Sequence, residues 1–426
     1  MAGVAVPAAT ASAADVTPRR AAAAGLKDRL GPLDGLRGLA ILLVMWFHTW
    51  QISWLSPQGT VFGRNVNFEE WPIDGFVGVD LFFFISGFCL FYPYARTLFD
   101  GKAMQSPGAF AYRRIIKIVP SYVLCIAILV ATRIATFSSL QAAAWDIGRH
   151  LLFVHNLFHD TYGSIDGVMW SLGVEVQFYA VFLAIAWAFM RRPLLAYVVL
   201  LCIASEWRLL VAGNKDDGFL YNQLPGVIDL FGSGMFAAYA YRALERGTPR
   251  LAARRLLWTG ISLAGCFAFW VAVHGCYQTR YDVDWPWQSF LWGRPLECVA
   301  FIAMTVGALF GTIAWQRTVA NPILIFFSVI SYNLYLFHQT LENRLFVFHL
   351  PRWRGSDPHL DSAWMLAFTF IGPAVGIAVA TFITYAFERP LLRRRPFESF
   401  FDRRHAPIPE LEALAPDTGV TLPEVS

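Results

Sequence analysis

The chain has 426 residues, of which 56% are apolar and 15% charged, with a formal charge of +4. Soluble domains carry ~45–50% apolar and ~25% charged residues, so this composition excludes a disordered chain and argues against a large soluble enzyme. Six cysteines are too sparse for a disulfide scaffold, and the small net charge gives no reason to expect nucleic acid as a partner.

Residues 1–30 are Ala-rich with Thr, Ser and Pro, lack the apolar stretch of a signal peptide, and read as a flexible cytoplasmic tail. Apolar runs then recur at 33–53, 75–95, 115–136, 167–190, 193–213, 222–244, 256–275, 295–315, 322–346 and 362–387. Each has about the ~20 residues a helix needs to cross ~30 Å of hydrocarbon. They predict an all-α polytopic membrane domain over residues 31–395 with about ten transmembrane helices. Residues 396–426, containing Pro and Glu, read as a second flexible tail. Arg and Lys gather in alternate connections, as in Arg19–Arg29, Arg96–Arg114, Arg242–Arg255 and Arg389–Arg404. By the positive-inside rule this puts both termini in the cytoplasm and the domain in the plasma (inner) membrane.

Polar groups inside these runs are the informative exceptions, because hydrocarbon disfavours them without a partner or a cavity. Arg37 and His48 lie eleven positions apart in the first run. At ~100° per residue they share a helix face, separated by ~16 Å along the axis. Singly, Arg37 could snorkel and His48 could bond to a neighbouring helix; as a pair on one face they point to a site.

Further segments carry the same signal. They are Gly78-Val79-Asp80 through Ser86-Gly87-Phe88, Tyr112-Arg113-Arg114-Ile115-Ile116-Lys117, Trp170-Ser171-Leu172-Gly173-Val174-Glu175, Ser331-Tyr332-Asn333-Leu334-Tyr335-Leu336-Phe337-His338 and Phe387-Glu388-Arg389-Pro390. In this order, over about residues 31–396, the chain resembles the acyltransferase-3 family of multi-pass membrane O-acyltransferases. It departs from the family's Arg-x-x-Arg at one position, where Lys117 keeps the charge but not the bidentate fork.

The resemblance implies transfer of an acyl group, typically acetyl, from a coenzyme A thioester to a hydroxyl. No permanently bound cofactor or metal is expected. The acceptor expected is a glycan, a lipid-linked sugar or a glycosylated small molecule. Some relatives carry an appended SGNH-type domain, and the tail here is too short for one. Arg37, Arg113, Arg114 and Lys117 form a basic cluster suited to the donor phosphates, although positive-inside topology alone could account for Arg113 and Arg114. Asp80, Ser86, Trp170, Ser171, Tyr332 and His338, carried by the matched motifs, are read as further substrate- and donor-binding residues.

His48 is read as the catalytic group, since imidazole exchanges protons near neutral pH. Glu175, which helix-rise arithmetic puts at a similar depth, is read as its partner. Two roles stay open for His48: general base, or nucleophile forming an acyl-imidazole. The alternative from another class is a proton-coupled transporter or flippase using the same His and carboxylates as a relay. His155 and Asp160 reproduce the His-x4-Asp spacing of glycerolipid acyltransferases, but they fall in an outer loop and read as a chance match.

Overall fold

The computed structural model describes residues 30–61, 63–212, 217–280 and 287–394. The two expected tails, apart from Leu30, lie outside these residues. Among the described residues, ten long helices fall on the ten apolar runs: α1 (Gly31–Ser53), α2 (Val77–Asp100), α3 (Pro107–Ala131), α4 (Trp170–Arg191), α5 (Pro193–Val211), α6 (Leu224–Gly247), α7 (Arg255–Thr279), α8 (Arg294–Phe310), α9 (Pro322–Val347) and α10 (Ser362–Ile383).

Among the described residues, eight helices are long and apolar enough to cross a membrane. α1 and α6 miss that mark because they carry Asp34, Arg37 and His48, and Asp229 and Arg242. Both are packed among other helices, α1 against α2, α9 and α10 and α6 against α2, α5 and α8. A helix surrounded by protein can hold polar groups that lipid would reject.

Helix ends follow capping chemistry more than hydropathy. α3 begins eight residues before its apolar run, because Ser106 accepts from the Ala109 N–H at 3.1 Å and Pro107 opens the first turn. Asn321 and Pro322 start α9 in the same way, with Leu324 N–H 3.0 Å from Asn321 Oδ1. α10 continues through a wide turn at Thr384–Glu388 into a short helix, Arg389–Arg394.

The connections are not featureless. After α1 comes a two-stranded antiparallel hairpin, β1 (Gln58–Val61) and β2 (Arg64–Asn67), with Gln58 opposite Asn67. It is the one departure from an all-α chain among the described residues. Between α3 and α4 lies the helix Leu140–Leu151, capped by Ser139. Its 12 residues are too few to span a bilayer.

The core is aromatic. Phe231 of α6 stacks on Phe178 of α4 at 4.0 Å and meets Phe83 of α2 at 4.9 Å. α1 and α9 run parallel, and at Gly38 the α1 backbone touches the Leu324 carbonyl of α9, an approach that leaves no room for a Cβ.

Candidate active site

The parallel seam of α1 and α9 brings together the two histidines of the matched motifs. His48 Nδ1 lies 2.9 Å from His338 Nε2, and the rings meet edge to face at 4.9 Å. His48 Nδ1 is also 3.0 Å from the Val44 carbonyl oxygen. His338 Nδ1 is 2.8 Å from Leu334 O and 3.0 Å from Tyr335 O. His338 is fully buried and His48 half-buried.

The expected partner of His48, Glu175, is elsewhere. Its carboxylate accepts from Ser86 Oγ at 2.8 Å and from the Tyr179 hydroxyl. Helix-rise arithmetic gives height along the bundle but not which helices adjoin; α1 packs on α2, α9 and α10, and α4 is not beside it. His338, expected among the substrate-binding residues, takes the place beside His48 that was assigned to Glu175.

A cavity of about 170 Å³ opens among α1, α2, α3, α4 and α9. Ser86, Ser171 and Tyr332 line it, as does Glu175. At its far end stands Tyr335, whose hydroxyl lies 2.5 Å from Ser171 Oγ and donates to Val168 O at 3.0 Å. The His48–His338 pair lies just past Tyr335, one turn further along α9.

At the other end of the cavity are Arg37, Arg114 and Lys117. Lys117 is ion-paired with Glu388, which Asn333 also holds. Arg37 and Arg114 differ from it: among the described residues no carboxylate lies within ion-pair distance of either. Among the described residues, the hydrogen bond Arg37 makes is a long one to Cys89 Sγ at 4.0 Å. Arg114 stands over the Tyr179 ring at 5.9 Å, and its Nε is buried without a partner. Arg114 and Lys117, three apart, share a helix face. Arg113, one residue away, is exposed and does not line the cavity.

Asp80 and Trp170 also lie off the cavity lining. Val79, Phe82, Phe83 and Ser86 form the α2 face that lines the cavity, and Asp80 is turned ~100° away from Val79. It is buried instead against Arg294 at 3.3 Å, close to the buried Arg208–Asp229 pair at 2.7 Å. Trp170, adjacent to Ser171, stacks on Tyr162 at 5.8 Å outside the cavity. His155 and Asp160 form no pair: Asp160 binds Arg149 at 2.7 Å, and His155 stacks on His150 at 3.9 Å, where burial lowers its pKa to about 3.

The sequence profile of the acyltransferase domain matches residues 31–387. The chain belongs to the acyltransferase-3 family. It is a membrane protein and an enzyme that transfers acyl groups. BcsY of Komagataeibacter xylinus, named as a membrane-bound transacylase, is 25% identical over 330 residues, 73% of this chain and 72% of BcsY. The peptidoglycan O-acetyltransferase OatA of Listeria monocytogenes is 22% identical over 389 residues. That alignment covers 87% of this chain and 56% of OatA, so the chain spans little more than half of that relative. No solved structure matches.

Within this acyltransferase-3 domain the structure adds residues that the sequence reading did not single out. Tyr179 and Tyr335 line the cavity; Tyr335 lies inside the matched segment from Ser331 to His338, where it carries no assigned role, and Tyr179 stands four residues after Glu175 on the same face of α4. Glu342, fully buried, receives a hydrogen bond from Thr49 Oγ1 at 3.0 Å. Its signal was available: it stands four residues after His338, on the same face of α9, and its partner Thr49 is the residue next to His48 on α1. Outside the helices, Asp166 closes the loop before α4, accepting from Thr340 Oγ1 at 2.8 Å. Burial pushes its carboxyl up to about 6.

Proposed function

We propose that this enzyme moves an acyl group, acetyl in the simplest case, from an acyl-CoA thioester to a hydroxyl of a glycan, a lipid-linked sugar or a glycosylated small molecule. The observation that carries the reading is one cavity with two kinds of end. Among the described residues Arg37 and Arg114 face it without a carboxylate partner, and a guanidinium in that position is stabilised by an anionic ligand such as a phosphate. The other end abuts the His48–His338 pair.

In this reading the volume of the cavity suits the acyl-bearing arm of the donor rather than its nucleotide, since pockets for drug-sized ligands run ~300–1,000 Å³. His48 accepts the proton of the attacking hydroxyl. The new C–O bond forms, the C–S bond breaks, and the proton passes to the departing thiolate, so ester and free thiol leave in equal number. Lys117 adds positive charge near the donor, held by Glu388. Glu175 holds the Ser86 and Tyr179 hydroxyls in the wall. The flippase alternative has no observation of its own.

The test is a comparison of O-acyl esters, by mass spectrometry of glycans and small glycosylated metabolites. The strains are one lacking the gene and the same strain carrying either wild type or His48→Ala. Esters restored by wild type and not by the variant are the expected result. An ester inventory identical in all three strains would overturn the reading.

A further inference from the structure

We infer that His338 is a positioning residue that fixes the tautomer of His48, leaving His48 Nε2 as the free basic nitrogen. The inference rests on the reading of His48 as the proton acceptor.

It follows from counting hydrogens. A backbone carbonyl can only accept. His338 Nδ1 faces two of them, Leu334 O at 2.8 Å and Tyr335 O at 3.0 Å, so it carries the hydrogen. A neutral His338 then has a lone pair on Nε2, the atom 2.9 Å from His48 Nδ1. Two lone pairs would repel at that distance, so His48 Nδ1 carries a hydrogen. The Val44 carbonyl, 3.0 Å from the same Nδ1, demands the same assignment. The opposite tautomer of His48 would leave Val44 O facing a lone pair and would require His338 to be an imidazolium. That charge would lie in a fully buried seam, with both of its α9 acceptors used on the other nitrogen.

Three carbonyls on two helices therefore set the state of the His48 ring, Val44 O by direct contact and the two α9 carbonyls through His338. Among the described residues nothing bonds to His48 Nε2, which is the nitrogen left to meet a substrate. The same contact sets the ring's orientation. When His48 takes a proton, its Nδ1–H keeps His338 Nε2 as an acceptor, so the imidazolium forms without reorganising its neighbour. The seam holds His338 in place from behind: Gly376 of α10 brings its backbone against the His338 Cβ, leaving ordinary contact distance at 3.4 Å for a methyl.

The experiment uses purified full-length protein in lipid vesicles with acetyl-CoA as the donor and a crude extract of glycans and glycosylated metabolites as acceptor, comparing His338→Gln with His338→Asn and recording thermal unfolding for each. Glutamine places an amide oxygen near the position of the imidazole Nε2 and can accept from His48 Nδ1. Asparagine is one methylene shorter and reaches the carbonyls but not His48. The expected result is that Gln keeps kcat within about tenfold. Asn should lose about 10²-fold in kcat, with KM for acetyl-CoA unchanged in both. A His338→Asn enzyme with wild-type kcat would overturn the inference, as would equal losses in the two variants with unfolding unchanged. Should Asn fail to fold, His338→Met, which cannot accept at that position and has a similar reach to Gln, gives the same contrast. His48→Ala is measured alongside. If it stays active, the reading of His48 fails; if it is inactive and the His338 variants are not, the inference alone fails.

Discussion

Gly78 is the position where a single methyl group tests whether the seam controls catalysis. It lies on α2 facing α1, and a Cβ there would stand 2.5 Å from the Ala40 carbonyl oxygen and 2.9 Å from Val44 Cγ2. Ordinary contact begins at 3.4 Å, so in Gly78→Ala α1 must retreat by about 0.9 Å. It cannot do so freely, because on its other side Gly38 already meets the α9 backbone at Leu324. Overpacking of this kind costs about 1–3 kcal/mol. Val44 also carries the carbonyl that binds His48 Nδ1, so the displacement reaches the histidine pair directly. A misplacement of ~1 Å at reacting groups can cost ~10²-fold in rate. We predict at least a tenfold loss of kcat and a lower unfolding temperature, read as thiol release from acetyl-CoA and as a thermal melt in lipid. Gly260→Ala is the matched control: nothing lies within 4 Å of its Cβ, and a helical alanine there is neutral or stabilising. A Gly78→Ala enzyme as fast and as stable as the control would refute the reasoning.

Further outcomes follow from other parts of the molecule. Arg37→Gln and Arg114→Gln are each expected to raise KM for acetyl-CoA about tenfold, or ~1.4 kcal/mol, with a smaller effect on kcat; an unchanged KM in both would detach these residues from the donor. Arg208→Met strands Asp229 in a buried site and should cost about 3–5 kcal/mol, whereas Arg208→Met with Asp229→Leu should recover most of it; melting temperatures of the two variants decide. Asp166 has a folded-state pKa of about 6 against an ordinary 3.8, so the folded protein holds that proton more tightly. Its burial therefore lowers stability as pH rises from about 4 to 6, by up to about 3 kcal/mol. Asp166→Asn should flatten the melting temperature over that window, and an unaltered pH slope would rule out Asp166 as its source.

The fold was legible because apolar run length reports lipid thickness, and each long helix falls on such a run. What hydropathy could not report was the helix end. Pro107 and Ser106 start α3 well before its apolar stretch, since capping is a hydrogen-bond property of the backbone rather than a membrane property. The site was half legible. A period of 3.6 put Arg37 and His48 on one face, and the α1–α9 seam and the cavity both use that face. The same period could have placed Asp80 and Arg113 off the cavity lining, since they stand one residue from Val79 and Arg114. Helix adjacency was not readable from one chain. Depth brought Glu175 level with His48, but only packing decides that α9, and so His338, lies beside α1. Glu342 escaped attention because its pairing with Thr49 spans the same unread adjacency.

The central claim is that a membrane-embedded histidine drives acyl transfer from a coenzyme A thioester. The most direct measurement is release of free thiol from acetyl-CoA by purified wild type and His48→Gln enzymes in lipid vesicles, supplied with a crude extract of glycans and glycosylated metabolites as acceptor. The account predicts acceptor-dependent thiol release by wild type and loss of at least 10²-fold in the folded variant. Equal release by both would contradict it, as would a wild type that leaves the thioester intact.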